Sequence, residues 1–137
     1  MLSSLFESST IPVLEQVVNF SQARHEVLAS NVANMDTPGY RVRDLSQEQF
    51  QNKLKEAIDS RERGETGSTA FESSSAGQAK LSQVSDSIPG IMYHDDSNDS
   101  LEQQVAEISK NQMQHSLALS IMTSQFRLLQ TAISERA

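Results

Sequence analysis

The stretch NVANMDTPGYRVRDL, residues 31–45, decides how this chain is built. Upstream of it, residues 11–34 read as an amphipathic helix, with Pro12 in the first turn, where a missing N–H costs nothing. Pro38 drives Thr37 out of helical space into an extended conformation. Pro38-Gly39 is the pair favoured at the centre of a type II turn, whose second central residue takes positive φ. Thr37, Pro38, Gly39 and Tyr40 therefore predict a turn, with Asn34 and Asp36 offering side chains to the loosened helix end. Beyond it Tyr40, Val42 and Asp44 alternate with Arg41 and Arg43, the pattern of a short strand with a basic edge. A helix becomes an extended arm within a few residues.

The two ends of the chain carry the strongest periodicity. On the N-terminal helix Leu14, Val18, Ser21, His25, Leu28 and Val32 follow steps of four and three, a narrow seam with two polar members. From Leu101 the same steps land on Val105, Ile108, Gln112, His115, Leu119, Met122, Phe126, Leu129 and Ile133, with neither Gly nor Pro after Ser100. Asp99 three residues before Glu102, and Ser100 three before Gln103, offer two overlapping capping boxes. A helix of this length reaches about 55 Å, against a diameter of roughly 37 Å for a compact chain of this size. The molecule is expected to be elongated. Leu117, Ile121, Thr123, Leu128 and Ala132 widen the apolar surface beyond one seam, more than one helix of the same chain can cover. Neighbouring subunits are the expected partners.

Between the ends, LSQEQFQNKLKEAIDSRERG, residues 45–64, predicts a short helix. Ser46 caps it, Gln49 closes the box, Leu45 staples against Phe50, and Gly64 suits the stop. Phe50, Leu54 and Ile58 line one face. Residues 66–87 are rich in Ser, Gly and Ala, with Phe71, Leu81 and Val84 as the large apolar exceptions, and read as a flexible insert. SIPGIMYH, residues 87–94, has a Pro-Gly turn between apolar residues and suggests a small hairpin. The expected fold is mainly α. Elongated N- and C-terminal helices pack as a coiled-coil-like hairpin, with a short middle helix and a small extended or flexible insert. The divisions fall at 1–35 for the first helix, 36–98 for turn, arm, middle helix and insert, and 99–137 for the last helix.

Composition narrows the function. The chain of 137 residues is 36% hydrophobic and 5% aromatic, with no Trp and no Cys, and its mean hydropathy is -0.46. A net charge of -7 without a basic cluster argues against nucleic acid. No apolar run is long enough for membrane insertion, and the first residues lack the pattern of a cleaved secretory signal. Disulfides and Cys-based metal sites are excluded.

Catalytic chemistry finds no foothold. The serines cluster in the middle segment without a nucleophile elbow. His25 and His115 fall on seam positions of two helices that are expected to pack, and read as polar contacts at one level of a bundle in preference to a shared metal. The acidic run at 94–99 fails as a calcium loop, because Leu101 stands where Gly is required. No cofactor and no metal is expected. Arg41 and Arg43 are candidate polar contacts to an acidic groove on a neighbour, with equal weight given to plain surface residues. Met92, Met113 and Met122 are expected to be core filler.

The block running from Asn31-Val32-Ala33-Asn34 through Thr37-Pro38-Gly39-Tyr40 resembles the junction of bacterial flagellar axial proteins. Asp36 before the Thr, and Arg41-Val42-Arg43-Asp44 after the Tyr, look most like the proximal-rod family of the flagellar basal body. EISKNQMQHSLALSIMTSQFRLLQTAI, residues 107–133, is similar to the last helix of that family, including Asn111-Gln112 and Ala132-Ile133. The resemblance covers roughly the first fifty and last forty residues. Two departures are His115, where the family often has Tyr, and Ser97-Asn98-Asp99-Ser100-Leu101 in place of an acidic helix start. The resemblance implies a structural subunit, not an enzyme. It implies helical self-assembly through Leu14, Val18, Leu28, Val32 and the long C-terminal seam, next to other rod proteins and the FliE adaptor. It also implies delivery to the periplasmic rod by the type III export apparatus without a cleaved signal. The competing reading is a soluble helical adaptor that binds one partner through its C-terminal helix.

Overall fold

The computed structural model describes residues 10–65, 84, 90–92 and 101–134, with main chain alone over 61–65. Helix α1 spans Ile11–Ala33. Thr10 stands at its N-cap without a side-chain cap bond, Pro12 occupies the first turn, and the Leu14 N–H reaches Thr10 O at 3.1 Å. Strand β1 is Arg43–Leu45, followed by helix α2 at Gln47–Glu65. Ser46 starts α2 as its sequence predicts, its hydroxyl accepting the Gln49 N–H at 3.2 Å. Glu48 lies in the first turn, favourable to the positive end of the helix. The helix runs through Gly64 and ends one residue later. Strand β2 is Gly90–Met92, and helix α3 is Leu101–Ser134, 34 residues or about 51 Å. The chain is mainly helical, with long first and last helices, a shorter middle one and a two-stranded sheet.

The sheet is non-local. β1 and β2 run antiparallel, with Arg43 opposite Met92, Asp44 opposite Ile91 and Leu45 opposite Gly90. The hairpin expected within residues 87–94 is therefore corrected for its described part, because Gly90–Met92 finds its partner in the arm. The strand itself begins at Arg43, later than the alternation from Tyr40 suggests, since Tyr40 still closes the turn.

A small apolar core sits where α1 meets α2. Phe20 and Phe50 stack with ring centroids 4.0 Å apart and planes 6° from parallel. Ala57 and Val84 complete it, and Val13, Val17, Leu45 and Leu54 pack around it. Val84 belongs to the segment read as a flexible insert, yet this residue is buried beside the two rings. The rest of that expectation, and the caps at Asp99 and Ser100, lie outside the described residues.

α1 and α3 pack as an antiparallel hairpin, but not through the expected seams. The buried face of α1 carries Gln16, Phe20, Ser21, Arg24, Leu28 and Asn31, and that of α3 carries Gln104, Asn111 and Ala118. Leu28 and Ser21 are thus inside. Leu14, Val18 and Val32 are half-buried, and His25 is exposed. The apolar steps of α3 face away: Leu101, Val105, Leu119, Phe126 and Ile133 are 41–54% exposed, while Ile108, Met122 and Leu129 are half-buried. Periodicity marks a face that wants covering. Here polar residues one step round the helix close the hairpin instead.

Candidate functional site

The junction between α1 and the arm is dense in hydrogen bonds among the described residues. At the end of α1 the Asn34 N–H is shared between Ser30 O at 3.1 Å and Asn31 O at 3.3 Å, and its amide Nδ2 donates back to Ser30 O at 2.8 Å. The Thr37 N–H then reaches Asn34 O at 2.9 Å, and the Tyr40 N–H reaches Thr37 O at 3.1 Å. That last bond closes the turn, with Gly39 at φ +80°. Pro38 and Gly39 thus hold the two central places of a type II turn. Asp36 is exposed and takes no part in these bonds.

Asn31 ties the first residues of the arm to both long helices. Its side chain is fully buried, at 0% exposure. Nδ2 donates to Arg43 O at 2.6 Å and to Gln104 Oε1 at 3.2 Å. Oδ1 accepts the Arg43 N–H at 3.1 Å and the Tyr40 hydroxyl at 3.1 Å. One amide therefore binds both main-chain groups of Arg43, as a neighbouring strand residue would. Its partners come from the arm, from the turn and from α3.

Seven residues, or about two turns, before Asn31 on the same face stands Arg24, whose side chain is 5% exposed. Its Nε and NH2 groups donate to the two carboxylate oxygens of Asp44 at 2.8 and 2.7 Å, a bidentate pair. NH2 also donates to Glu107 Oε2 at 2.9 Å. The Glu107 Oε1 atom accepts from Lys110 at 2.7 Å, and Asp44 Oδ1 accepts the Leu45 N–H at 2.7 Å. Hydrogen bonding to Asp44, with Glu107 adding to it, holds the Arg24 guanidinium above its already high value despite burial. Lys110 first and Arg24 second hold the Glu107 carboxyl below the usual range, against partial burial. Deeper in the seam, Asn111 Nδ2 donates to Ser21 O at 2.7 Å, while its Oδ1 is buried with no hydrogen-bond partner among the described residues.

The site has the equipment of a mechanical joint. It fixes an arm to a helix pair through two polar nodes and holds no arrangement of nucleophile and base. Of the residues singled out in the sequence, Asn31, Asn34, Thr37, Gly39 and Tyr40 come together here. Arg43 joins through its main chain, with its side chain exposed, and Arg41 is exposed as well. His115 is half-buried on α3, with no bond to the exposed His25. Sequence reasoning passed over Arg24, Gln104 and Glu107. A signal existed in the seven-residue spacing of Gln104, Asn111 and Ala118, small or polar residues repeating beside an apolar stripe.

The match to a known family falls on this joint. Residues 19–41, from the turn before Arg24 to the end of the type II turn, match the family described as flagella basal body rod protein. The chain is thus similar to the flagellar basal body rod proteins. Within that class it is similar to the flagellar basal body rod protein FlgB of Salmonella typhimurium, 28% identical over 120 residues that cover 82% of this chain and 84% of the relative. It is 26% identical to FlgB of Escherichia coli over the same shares. With FlgB of Bacillus subtilis it shares 26% identity over 131 residues, 96% of this chain and 97% of that one.

Proposed function

We propose that this chain is a structural subunit of the proximal rod, self-associating through its terminal helices into a helical tube that transmits torque. One observation carries the reading beyond the likeness to that family. The α1–α3 hairpin closes with polar side chains and leaves Leu101, Val105, Leu119, Phe126 and Ile133 largely outside. An apolar stripe of such length needs cover from other subunits, and repeated contact between different faces of identical chains builds helical assemblies. No helix among the described residues is long and apolar enough to cross a membrane, so the stripe is not read as a span. In this reading the subunit passes the type III export apparatus and assembles in the periplasm beside other rod proteins and the FliE adaptor. Asn31 to Tyr40 then set the angle at which the arm leaves the helical layer.

Electron microscopy of basal bodies from cells lacking the gene, beside a complemented strain, tests it. Membrane rings without a rod are expected. Complete rods would refute the reading and favour an adaptor, which would elute with one partner at fixed stoichiometry.

A further inference from the structure

We propose that the orientation of the arm is conditional on α3 being docked, the coupling running through two α1 side chains, Arg24 and Asn31. Each of these residues binds the arm and α3 at once. Asn31 holds the Arg43 main chain and Gln104; Arg24 holds Asp44 and Glu107. Both are nearly sealed from water, and Gln104, a buried residue of α3, is part of the seal. When α3 leaves, more is lost than its own two bonds. Water reaches Arg24 and Asn31, and the ion pair with Asp44 falls from a shielded interaction to a weak exposed one. In the other direction, a departing arm leaves the Arg24 guanidinium buried with Glu107 alone, which favours opening of the hairpin. Coupling of this kind is reciprocal.

The arm has other ties that do not involve α3. β1 pairs with β2, and Leu45 packs on the core around Phe20 and Phe50. If those suffice, α3 is irrelevant to the arm, so the alternatives are separable. As a device for assembly the coupling rests on the rod reading, since it would fix the arm only in subunits whose helices have closed. As a property of the isolated chain it stands apart from that reading.

Residue-resolved hydrogen exchange on the full chain decides it. The Gln104→Ala/Glu107→Ala double variant alters α3 alone. The Arg43 N–H, which donates to Asn31, is expected to exchange at least about tenfold faster, within the usual span of site-to-site coupling. The Phe50 N–H, in the first turn of α2 and bonded to the O atom of the capping residue Ser46, is expected to keep its rate. An unchanged Arg43 rate overturns the proposal, as does equal acceleration at Phe50, which would mean general loosening. Should the double variant fail to fold, Asp44→Asn supplies the reciprocal arm: amides of Glu107 and Lys110 are expected to exchange faster, and unchanged rates there overturn the coupling. The measurement uses no other rod component, so its failure is distinct from failure of the rod reading.

Discussion

Removing the side chain of Asn31 is the sharpest perturbation of the joint. Asn31→Ala deletes four hydrogen bonds, to Arg43 N and O, Tyr40 and Gln104. Tyr40 is half-buried and its hydroxyl re-pairs with water at little cost. The Arg43 N–H and C=O, in part-buried bonds, and the buried Gln104 amide each lose one partner, and an unsatisfied buried polar group costs ~1–3 kcal/mol. A water entering the vacated space offsets part of this, leaving a predicted loss of about 3 kcal/mol. Against a total stability of ~5–15 kcal/mol for a domain, that is a large fraction. Urea unfolding followed by far-ultraviolet circular dichroism measures it. Asn31→Asp sharpens the test. It keeps the acceptor for the Arg43 N–H and the Tyr40 hydroxyl, but sets a carboxylate oxygen against Arg43 O. Its deficit is expected to match or exceed that of Ala at neutral pH and to shrink in acid, where a protonated oxygen donates again. A loss under about 0.5 kcal/mol for Asn31→Ala, the range of ordinary surface substitutions, would refute the account of this residue.

Gly39→Val places a β-branched residue at φ +80°, where an added Cβ meets no atom within 4 Å. The cost is backbone strain of about 1–3 kcal/mol, and the variant is expected to stay soluble yet fail to restore motility; normal swimming would show the turn is dispensable. Leu119→Gln and Ile133→Gln, both on the outer stripe, should change the unfolding free energy of the free chain by less than about 0.5 kcal/mol while abolishing rods in micrographs. Glu107 gives a pH signature. Its carboxyl sits below the unfolded value of 4.5 in the folded chain. The stability it contributes is therefore complete above that pH and is lost as the pH falls through the folded value. The stability gap between wild type and Glu107→Gln, read from urea midpoints at neutral and acid pH, should close as the solution is acidified.

Local chemistry was the legible part of this fold. Pro38 and Gly39 specify their turn by backbone sterics alone, and Ser46 specifies the start of α2 by one side-chain bond. Both read correctly because everything they need lies within four residues. The apolar steps on α3 also identified a real stripe, but periodicity reports which residues avoid water, not which surface will cover them. The hairpin is instead closed by Gln104, Glu107 and Asn111 against Asn31, Arg24 and Ser21, residues 73 to 90 positions apart. Their partnership has no local signature, since a buried arginine and a solvated one look alike in sequence. The pairing of Gly90–Met92 with the arm was hidden for the same reason. Resemblance supplied what pattern did not, pointing at Asn31 before its bonds were visible.

The amide of Asn31 has a consequence for how copies of the chain can meet. In β1 it occupies both outward main-chain groups of Arg43, and Asp44 takes the outward N–H of Leu45. These three groups of that edge are thereby taken and cannot pair with an incoming strand. Were two copies to join by their β2 edges, the result would be a four-stranded sheet with a blocked strand at each end, and growth would stop there. Under the proposed reading, a chain that associates through its helices thus carries a check against pairing along its strands, set by two side chains, Asn31 and Asp44.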